Sequence, residues 1–439
     1  MGLFKKKEAW VLLLGDLACF VAALWLSLLL RYAEPPTGGL YFAHLTPFGF
    51  LFAAWVVSFY IAGLYEKHTV ILQSNLPQVL AATQLTNSGF AVIFFYFIPF
   101  FGITPKTILF IYLFISFALV LSWRTYGYFA IGRKKTTNAI IIGSGEEMKE
   151  LCAEVNSNPI YNLRFISSVD LNRTDENGFW KEIMERVYSE DVSVIAIDLS
   201  NKNVEPVLPH LYNLIFSRVN FIDMHKVYED IFDRVPLSLL KYNWFLENIS
   251  TTHRTAYDAL KRIMDLLVSL TLSILSVVLY PIVFLAIKLD DGGEIFFRQE
   301  RVGENNKVFK ILKFRSMSPD GRVTKAGRFL RRSRIDEVPQ LFNILKGDLS
   351  LIGPRPEMPQ LVRIYGEAIP YYNVRHLIKP GLSGWAQICH DLHPHHEADT
   401  GETKNKLSYD LYYIKNRSLL LDVKIALRTL KTLVSMAGR

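Results

Sequence analysis

Cysteine is scarce in this chain, and no paired cysteine motif occurs. Its 439 residues hold three cysteines, Cys19, Cys152 and Cys389, far apart and odd in number. That excludes a disulfide framework and a CxxC metal or redox motif, and it fits a reducing compartment. A complete dinucleotide fingerprint is also missing. The nearest approach, Gly143-Ser-Gly145-Glu-Glu-Met148, lacks the third glycine and puts Glu146 and Glu147 where a pyrophosphate would meet a helix N-terminus. No small-residue cleavage site follows the first apolar run, so the sequence predicts a retained membrane helix and not a signal peptide. Most of the chain lacks net charge as well. Of its net +8, fifteen Lys/Arg against seven Asp/Glu fall between Arg298 and Arg363, a local excess as large as the whole chain's. The basicity therefore belongs to one region and implies a local anionic partner. Beside membrane segments, phospholipid heads or phosphorylated lipids suit that partner better than nucleic acid.

Long apolar runs are abundant. Half the residues are hydrophobic and 13% aromatic. Four runs, about 9–30, 46–65, 79–101 and 106–123, each approach the ~20 residues a helix needs to cross hydrocarbon. Lys5, Lys6 and Lys7 precede the first, and Arg124, Arg133, Lys134 and Lys135 follow the fourth, while the loop 31–45 holds only Arg31. The positive-inside rule then predicts a four-span bundle with both ends in the cytoplasm. Asp16, an acid inside the first run, is read as a polar contact between helices or as a functional group.

After this bundle (1–125) comes a segment, 136–235, in which "NAIIIGS", "RFISSVD", "VSVIAIDLS" and "VNFIDM" have strand character and "EEMKELCAEV" helical character. The alternation predicts a Rossmann-like α/β domain with a parallel sheet, structural or regulatory in role given its incomplete glycine motif. A linker is expected over 236–256. The fifth apolar run, "MDLLVSLTLSILSVVLYPIVFLAI", is interrupted by Pro281 and flanked by Lys261, Arg262 and Lys288. Positive charge at both ends and a proline in the middle predict a re-entrant hairpin over about 262–288 that breaks at Pro281, against the alternative of a kinked full span.

The segment "RRSRIDEVPQLFNILKGDLSLIGPRPE", Arg331–Glu357, sets two adjacent carboxylates among arginines. Neighbours on a helix point about 100° apart, so Asp336 and Glu337 are expected to do different work. Pro339 suits a helix's first turn and Gly347 its stop, which predicts a helix with Asp336 near its N-terminus. There the dipole and Arg331, Arg332 and Arg334 would keep Asp336 ionised. Such a carboxylate suits attack on phosphorus, and Glu337 suits a Mg²⁺ ion. Arg355, held between Pro354 and Pro356, suits a two-pronged phosphate contact. The plain alternative is a solvated ion-pair helix.

From Tyr257 onward the chain resembles the bacterial sugar transferase family of polyprenyl-phosphate glycosyl-1-phosphate transferases. The resemblance rests on "KRIMD", "FFRQERVG", "KFRSM", "GRFLRRSRIDEVPQLFNILKGDLSLIGPRPE", "KPGLSGWAQ" and "YDLYYIKNRSLLLD", in that order. With the bundle and the Rossmann-like domain ahead of it, the whole chain is similar to the large initiating members. The resemblance implies an α/β catalytic domain over 257–439 with a re-entrant membrane helix hairpin. It implies that Asp336 attacks the β-phosphate of a UDP-sugar, releases UMP, and passes the sugar-1-phosphate to undecaprenyl phosphate. Glu337 would serve Mg²⁺, and Lys313, Arg331 and Arg355 would contact phosphate, with Arg298, Arg315 and Gln340 as further candidates. The expected location is the bacterial inner membrane with the site on the cytoplasmic face, and a homodimer is an expected assembly. Three departures stand out: Tyr280 where serine commonly precedes the hairpin proline, Glu294 where proline is common, and a short stretch between Met317 and Arg322.

Two weaker signals remain. "CHDLHPHHEAD" gathers His390, His393, His395 and His396 without a tetrahedral spacing, which favours a loop over a zinc site. "SLLLDVKIALRTLKTLVSM" has helical apolar spacing compatible with either an interfacial or a packed helix. Two other functions stay open at this stage. A nucleotide-sugar oxidoreductase would need the missing glycine fingerprint, and a non-catalytic scaffold for polysaccharide export would not need the Asp336–Glu337 pair.

Overall fold

In the computed structural model, four N-terminal helices coincide with the four apolar runs: α1 (Lys7–Tyr32), α2 (Gly38–Ile61), α3 (Leu76–Phe97) and α4 (Lys106–Ser122). The structure describes residues 7–62, 64–65, 76–97, 106–127, 137–158, 161, 163–173, 185, 187, 189–212, 214, 219–249, 255–318, 320–389 and 399–434. The chain forms two compact units, Met1–Met224 and His225–Arg439. The His390–His396 cluster lies outside the described residues.

The four helices pack through an aromatic core in which Phe20, Phe48, Trp55, Phe59 and Tyr112 are buried. Their outer faces carry exposed Trp10, Leu14, Phe50, Phe90, Phe110 and Phe114. Water would penalise that arrangement and lipid would not. Among the described residues, Trp10–Tyr32, Gly38–Ile61 and Thr107–Tyr126 are each long and apolar enough to cross a membrane. Thr83, Gln84 and Asn87 sit in the middle of α3, all three turned into the bundle. Gln84 donates to Ser116 at 3.2 Å, and the Trp55 indole donates to the Asn87 carbonyl at 3.2 Å. Asp16 does make a contact between helices. Its carboxylate accepts from the Arg124 guanidinium at 3.1 Å, which also donates to the Leu64 carbonyl at 2.7 Å, so the buried charge is paired. Gly15 lets the Trp123 ring approach closely, since a Cβ there would lie 2.0 Å from it and the ring would have to shift.

The predicted strands form β1 (Thr137–Gly143), β2 (Leu163–Asp170), β3 (Val192–Ile197) and β4 (Asn220–Asp223), with α5 (Glu146–Ser157) after β1. The sheet has the order β2-β1-β3-β4 and is parallel throughout. Ile140, Ile142, Ile195 and Ile197 bury the near-continuous apolar runs expected of such strands. The turn after β1 uses Gly145 at φ 87°. Asn201 donates across to the Ser144 hydroxyl at 2.8 Å, and a Cβ on Gly143 would lie 2.6 Å from the Met224 sulfur.

In the second unit, Val235 and Trp244 belong to a core with Tyr365, Tyr372, Trp385, Leu411 and Ile425. The Val235 N–H donates to the Ser408 carbonyl at 3.2 Å. Next come α6 (Thr255–Ser276) and α7 (Leu279–Asp290), bent by 58° at their junction. Helix α6 is inverted relative to a helix in water. It buries Asp265, Ser269 and Ser276 and exposes Ile263, Leu267, Leu270, Ile274 and Leu275. The break falls at Val277–Val278, not at Pro281 as expected. Proline sits instead as the third residue of α7, in a first turn where helical N–H groups have no partner to lose. Tyr280, the unusual residue before it, packs edge-on to Phe314 at 5.0 Å between ring centroids.

Beyond the hairpin, β5 (Phe296–Val302) and β6 (Val308–Phe314) form an antiparallel ribbon. Then follow α8 (Lys325–Arg332), a 3₁₀ turn at Ile335–Glu337, α9 (Gln340–Lys346), β7 (Ser350–Ile352), α10 (Pro359–Ala368) and β8 (Gly381–Ser383), which pairs parallel with β7. Helices α11 (Thr400–Asn416) and α12 (Leu419–Val434) close the unit. One face of α12 packs through Ile425, and a second stripe of Leu420, Val423, Leu430 and Leu433 is exposed.

Candidate active site

The Asp-Glu pair is built by a chain reversal that the sequence pattern does not announce. Helix α8 ends at Arg332, and Arg334 adopts a left-handed conformation, φ 57°, which costs a non-glycine residue roughly 1–2 kcal/mol. This turn starts a separate 3₁₀ turn, so Asp336 lies four residues ahead of α9, outside its first turn. Pro339 occupies the N-cap of α9, and Gly347 ends the helix at φ 99° as expected.

Two charged residues of α6 hold α9 and β7 in place. The Arg262 guanidinium donates to the Ile344 and Leu345 carbonyls at 2.7 and 2.8 Å, capping the C-terminal end of α9. Asp265 accepts from the Leu351 N–H at 3.1 Å. From the other side, Asn343 clamps β6: its oxygen accepts from the Leu312 N–H at 3.0 Å and its amide donates to the Lys310 carbonyl at 2.8 Å. Arg262 and Asp265 of "KRIMD" therefore work as struts between α6 and the segment carrying the site.

Within this frame the two carboxylates have opposite electrostatics. Glu337 accepts from Lys313 at 2.9 Å and from Arg355 at 3.5 Å, with an Arg334 nitrogen at 3.9 Å. Burial works against its charge, but these three cations outweigh it and hold the carboxyl down at about 2. Asp336 is 7% exposed, and its Oδ1 has no hydrogen-bond partner among the described residues. Burial first, and the Glu337 charge second, raise its carboxyl to about 6, against smaller lowering effects from Lys313, Arg334 and Arg331. The cations favour the charged form of Asp336, as expected, but burial and the Glu337 charge outweigh them; a group titrating near 6 is still mostly ionised at neutral pH.

The other predicted residues divide into those at the pair and those away from it. Lys313 and Arg355 meet at Glu337, Arg331 is close enough to act on Asp336, and Gln340 is buried at the first position of α9. Arg315 is turned away: it pairs with Asp291 at the hairpin exit and donates to the Met317 carbonyl at 2.8 Å. Arg298 is exposed and faces Leu312 across the ribbon, whereas Lys313 faces Phe297, so the two basic side chains project from opposite faces. Arg301 and Arg375, which the motif reading passed over, both hold the Pro354–Pro356 segment. Their only sequence signal is position, one inside "FFRQERVG" and one shortly before "KPGLSGWAQ".

This unit matches known proteins. The bacterial sugar transferase family matches residues 256–436. A UDP-N-acetylgalactosamine-undecaprenyl-phosphate N-acetylgalactosaminephosphotransferase of Aeromonas hydrophila is 43% identical over 42% of this chain and 45% of its own length. An undecaprenyl-phosphate glucose phosphotransferase of Komagataeibacter xylinus is 32% identical over 68% of this chain and 59% of its own length. The chain thus spans about half the length of these two relatives. An uncharacterised sugar transferase of Bacillus subtilis is 38% identical over 41% of this chain and 89% of its own length. With its six motifs in order and a relative matched over nearly its full length, the chain belongs to the bacterial sugar transferase family.

Proposed function

We propose that the chain transfers sugar-1-phosphate from a UDP-sugar to undecaprenyl phosphate, as the printed names of its relatives describe for those proteins. The observation that carries this reading is the buried Asp336 carboxylate, whose Oδ1 has no hydrogen-bond partner among the described residues, beside a Glu337 that neutralises its own cations. An Asp336 oxygen attacks the β-phosphorus, the bond from that phosphorus to the bridging oxygen breaks, and UMP leaves with the bond's electron pair. An undecaprenyl phosphate oxygen then attacks the same phosphorus and Asp336 leaves, giving a polyprenyl-diphosphate sugar. Lys313 and Arg355 sit where they can turn from Glu337 to the phosphate oxygens and offset the repulsion between carboxylate and phosphate.

Mg²⁺ fits the residues present. Two adjacent carboxylates, one with an unsatisfied buried oxygen, suit a hard cation. No group of three His, Cys, Asp or Glu surrounds a common point among the described residues, so such an ion would take its remaining ligands from phosphate and water. Held by Glu337, it would supply positive charge to the diphosphate.

The membrane architecture proposed with this function is a four-span bundle, a Rossmann-like domain and a re-entrant hairpin, in an inner membrane with the site facing the cytoplasm. Support comes from the inverted burial of α6, the 58° bend and the basic flanks of the hairpin. The direct test is to incubate membranes containing the chain with undecaprenyl phosphate and a panel of UDP-sugars and to measure UMP. Release with at least one sugar, dependent on the lipid phosphate at turnover, is the expected result. No release with any sugar overturns the proposal.

A further inference from the structure

Arg355 reaches Glu337 from a segment whose backbone is gripped at two consecutive carbonyls. On one side the Arg301 guanidinium donates to the Pro356 carbonyl at 3.2 Å, and it is steadied by donating to Gln299 at 2.6 Å. On the other side the Arg375 guanidinium donates to the Arg355 carbonyl at 3.0 Å. Arg375 is 5% exposed, and it is itself held by the Tyr372 hydroxyl at 2.6 Å and the Asp410 carboxylate at 2.8 Å. The Val302 N–H adds a third grip by donating to the Glu357 carbonyl at 2.9 Å. Neither guanidinium contacts Asp336 or Glu337 in any hydrogen bond or ion pair of the described residues.

Two flanking prolines fix φ on either side of Arg355, but φ alone does not orient a segment relative to the rest of the fold. Carbonyl oxygens point where ψ directs them, and a guanidinium on each of two successive carbonyls fixes both peptide planes. A planar, always-charged donor fork is suited to this, because it cannot lose its proton and holds a fixed angle between its contacts. Each guanidinium also has its own carboxylate: half-buried Arg301 lies 3.8 Å from Glu357, and buried Arg375 pairs with Asp410, so both forks are anchored while they hold the carbonyls.

We infer that Arg301 and the Arg375–Asp410 pair are positioning residues that set the Arg355 guanidinium over the phosphate site. This inference rests on the proposed reaction only for its choice of ligand: a diphosphate. It predicts that a loosened clamp acts through Arg355 and through nothing else. Residues in one chain of contacts give non-additive losses, whereas independent residues add.

The experiment measures pyrophosphate binding, with Mg²⁺ present, by calorimetry on the full-length protein in lipid nanodiscs. UMP release is followed in parallel. Arg301→Lys retains the charge but not the two-pronged contact, and Asp410→Asn retains the volume at the second grip. Each is made alone and on an Arg355→Ala background, and thermal midpoints identify any variant that has lost its fold. The expected result is about a tenfold loss of pyrophosphate affinity for Arg301→Lys alone, the scale of one charge-assisted hydrogen bond. On the Arg355→Ala background the further loss should be under about twofold. Equal losses on both backgrounds, or no loss on either, overturn the clamp. Non-additive binding in a protein that releases UMP from no UDP-sugar overturns the proposed reaction and leaves the clamp standing.

Discussion

Lys313 Nζ lies 2.9 Å from a Glu337 oxygen, on the carboxylate next to the one proposed to attack. That single contact separates the two acids. One carboxylate is held charged by three cations, and the other is left buried with an oxygen that has no hydrogen-bond partner among the described residues. A protein optimised only for stability would not keep the second one.

Asp336→Asn should abolish UMP release and covalent labelling by a sugar-labelled UDP-sugar; a fully active variant would remove Asp336 from the nucleophile role. The same variant should be more stable than wild type at pH 7. The Asp336 pKa is raised on folding, so the folded state binds this proton more tightly than the unfolded chain. Stability from this group is therefore full below 3.8 and falls as pH rises toward about 6. Above that window the cost is about 3 kcal/mol at ~1.4 kcal/mol per unit, and the asparagine does not bear it. Thermal midpoints at pH 7 and near pH 4 check this, with the gain present at the first and absent at the second.

The transfer rate itself should rise with pH through a midpoint near 6 and then level off, because only the ionised Asp336 attacks. Single-turnover labelling across pH 5–8 reads this directly. A flat profile over that range would contradict the assignment.

Glu337→Gln should act in the opposite direction on stability. Its carboxyl is depressed, so its contribution is present above the unfolded value of 4.5 and is lost as pH falls toward about 2. Removing the charge at pH 7 leaves Lys313 and Arg355 without their partner and should lower the thermal midpoint. Turnover should drop at least a hundredfold, with a changed response to added Mg²⁺. An unchanged metal titration would count against its proposed second role.

The basic residues should separate by face. Arg355→Ala should lower kcat/KM by roughly a hundredfold and Lys313→Met by a similar factor, as for donors aimed at developing charge. Arg298→Ala, on the opposite face of the ribbon from Lys313, should change it by less than about threefold. A large loss at Arg298 would require another route from that face to the site.

A reporter inserted after Gly292 should read cytoplasmic, on the same side as one inserted after Lys135. The 58° bend between α6 and α7 would let the chain enter and leave through one face of the membrane. A periplasmic readout at Gly292 would make the pair a broken span.

Much of this was legible in order along the chain. The four N-terminal helices, the four parallel strands with their helix after β1, and a broken apolar helix all appear close to where periodicity and composition place them. Those features are set by patterns that repeat over 8–25 residues, and burial against lipid or a sheet reads such patterns directly. The family resemblance was equally local, carried by six short motifs.

The sequence by itself therefore determined the membrane helices, the parallel sheet, the basic region and the adjacency of Asp336 and Glu337. Only the tertiary structure decided which carboxylate the cations serve, and with it the opposite shifts of the two acids. It also decided that Arg298 and Arg315 point elsewhere, that the hairpin breaks before Pro281, and that Arg301 and Arg375 grip the segment bearing Arg355. The physical reason is common to all four. Coulomb energies and hydrogen bonds depend on distances of a few ångströms between residues 18 to 55 positions apart, and no local spacing encodes those distances.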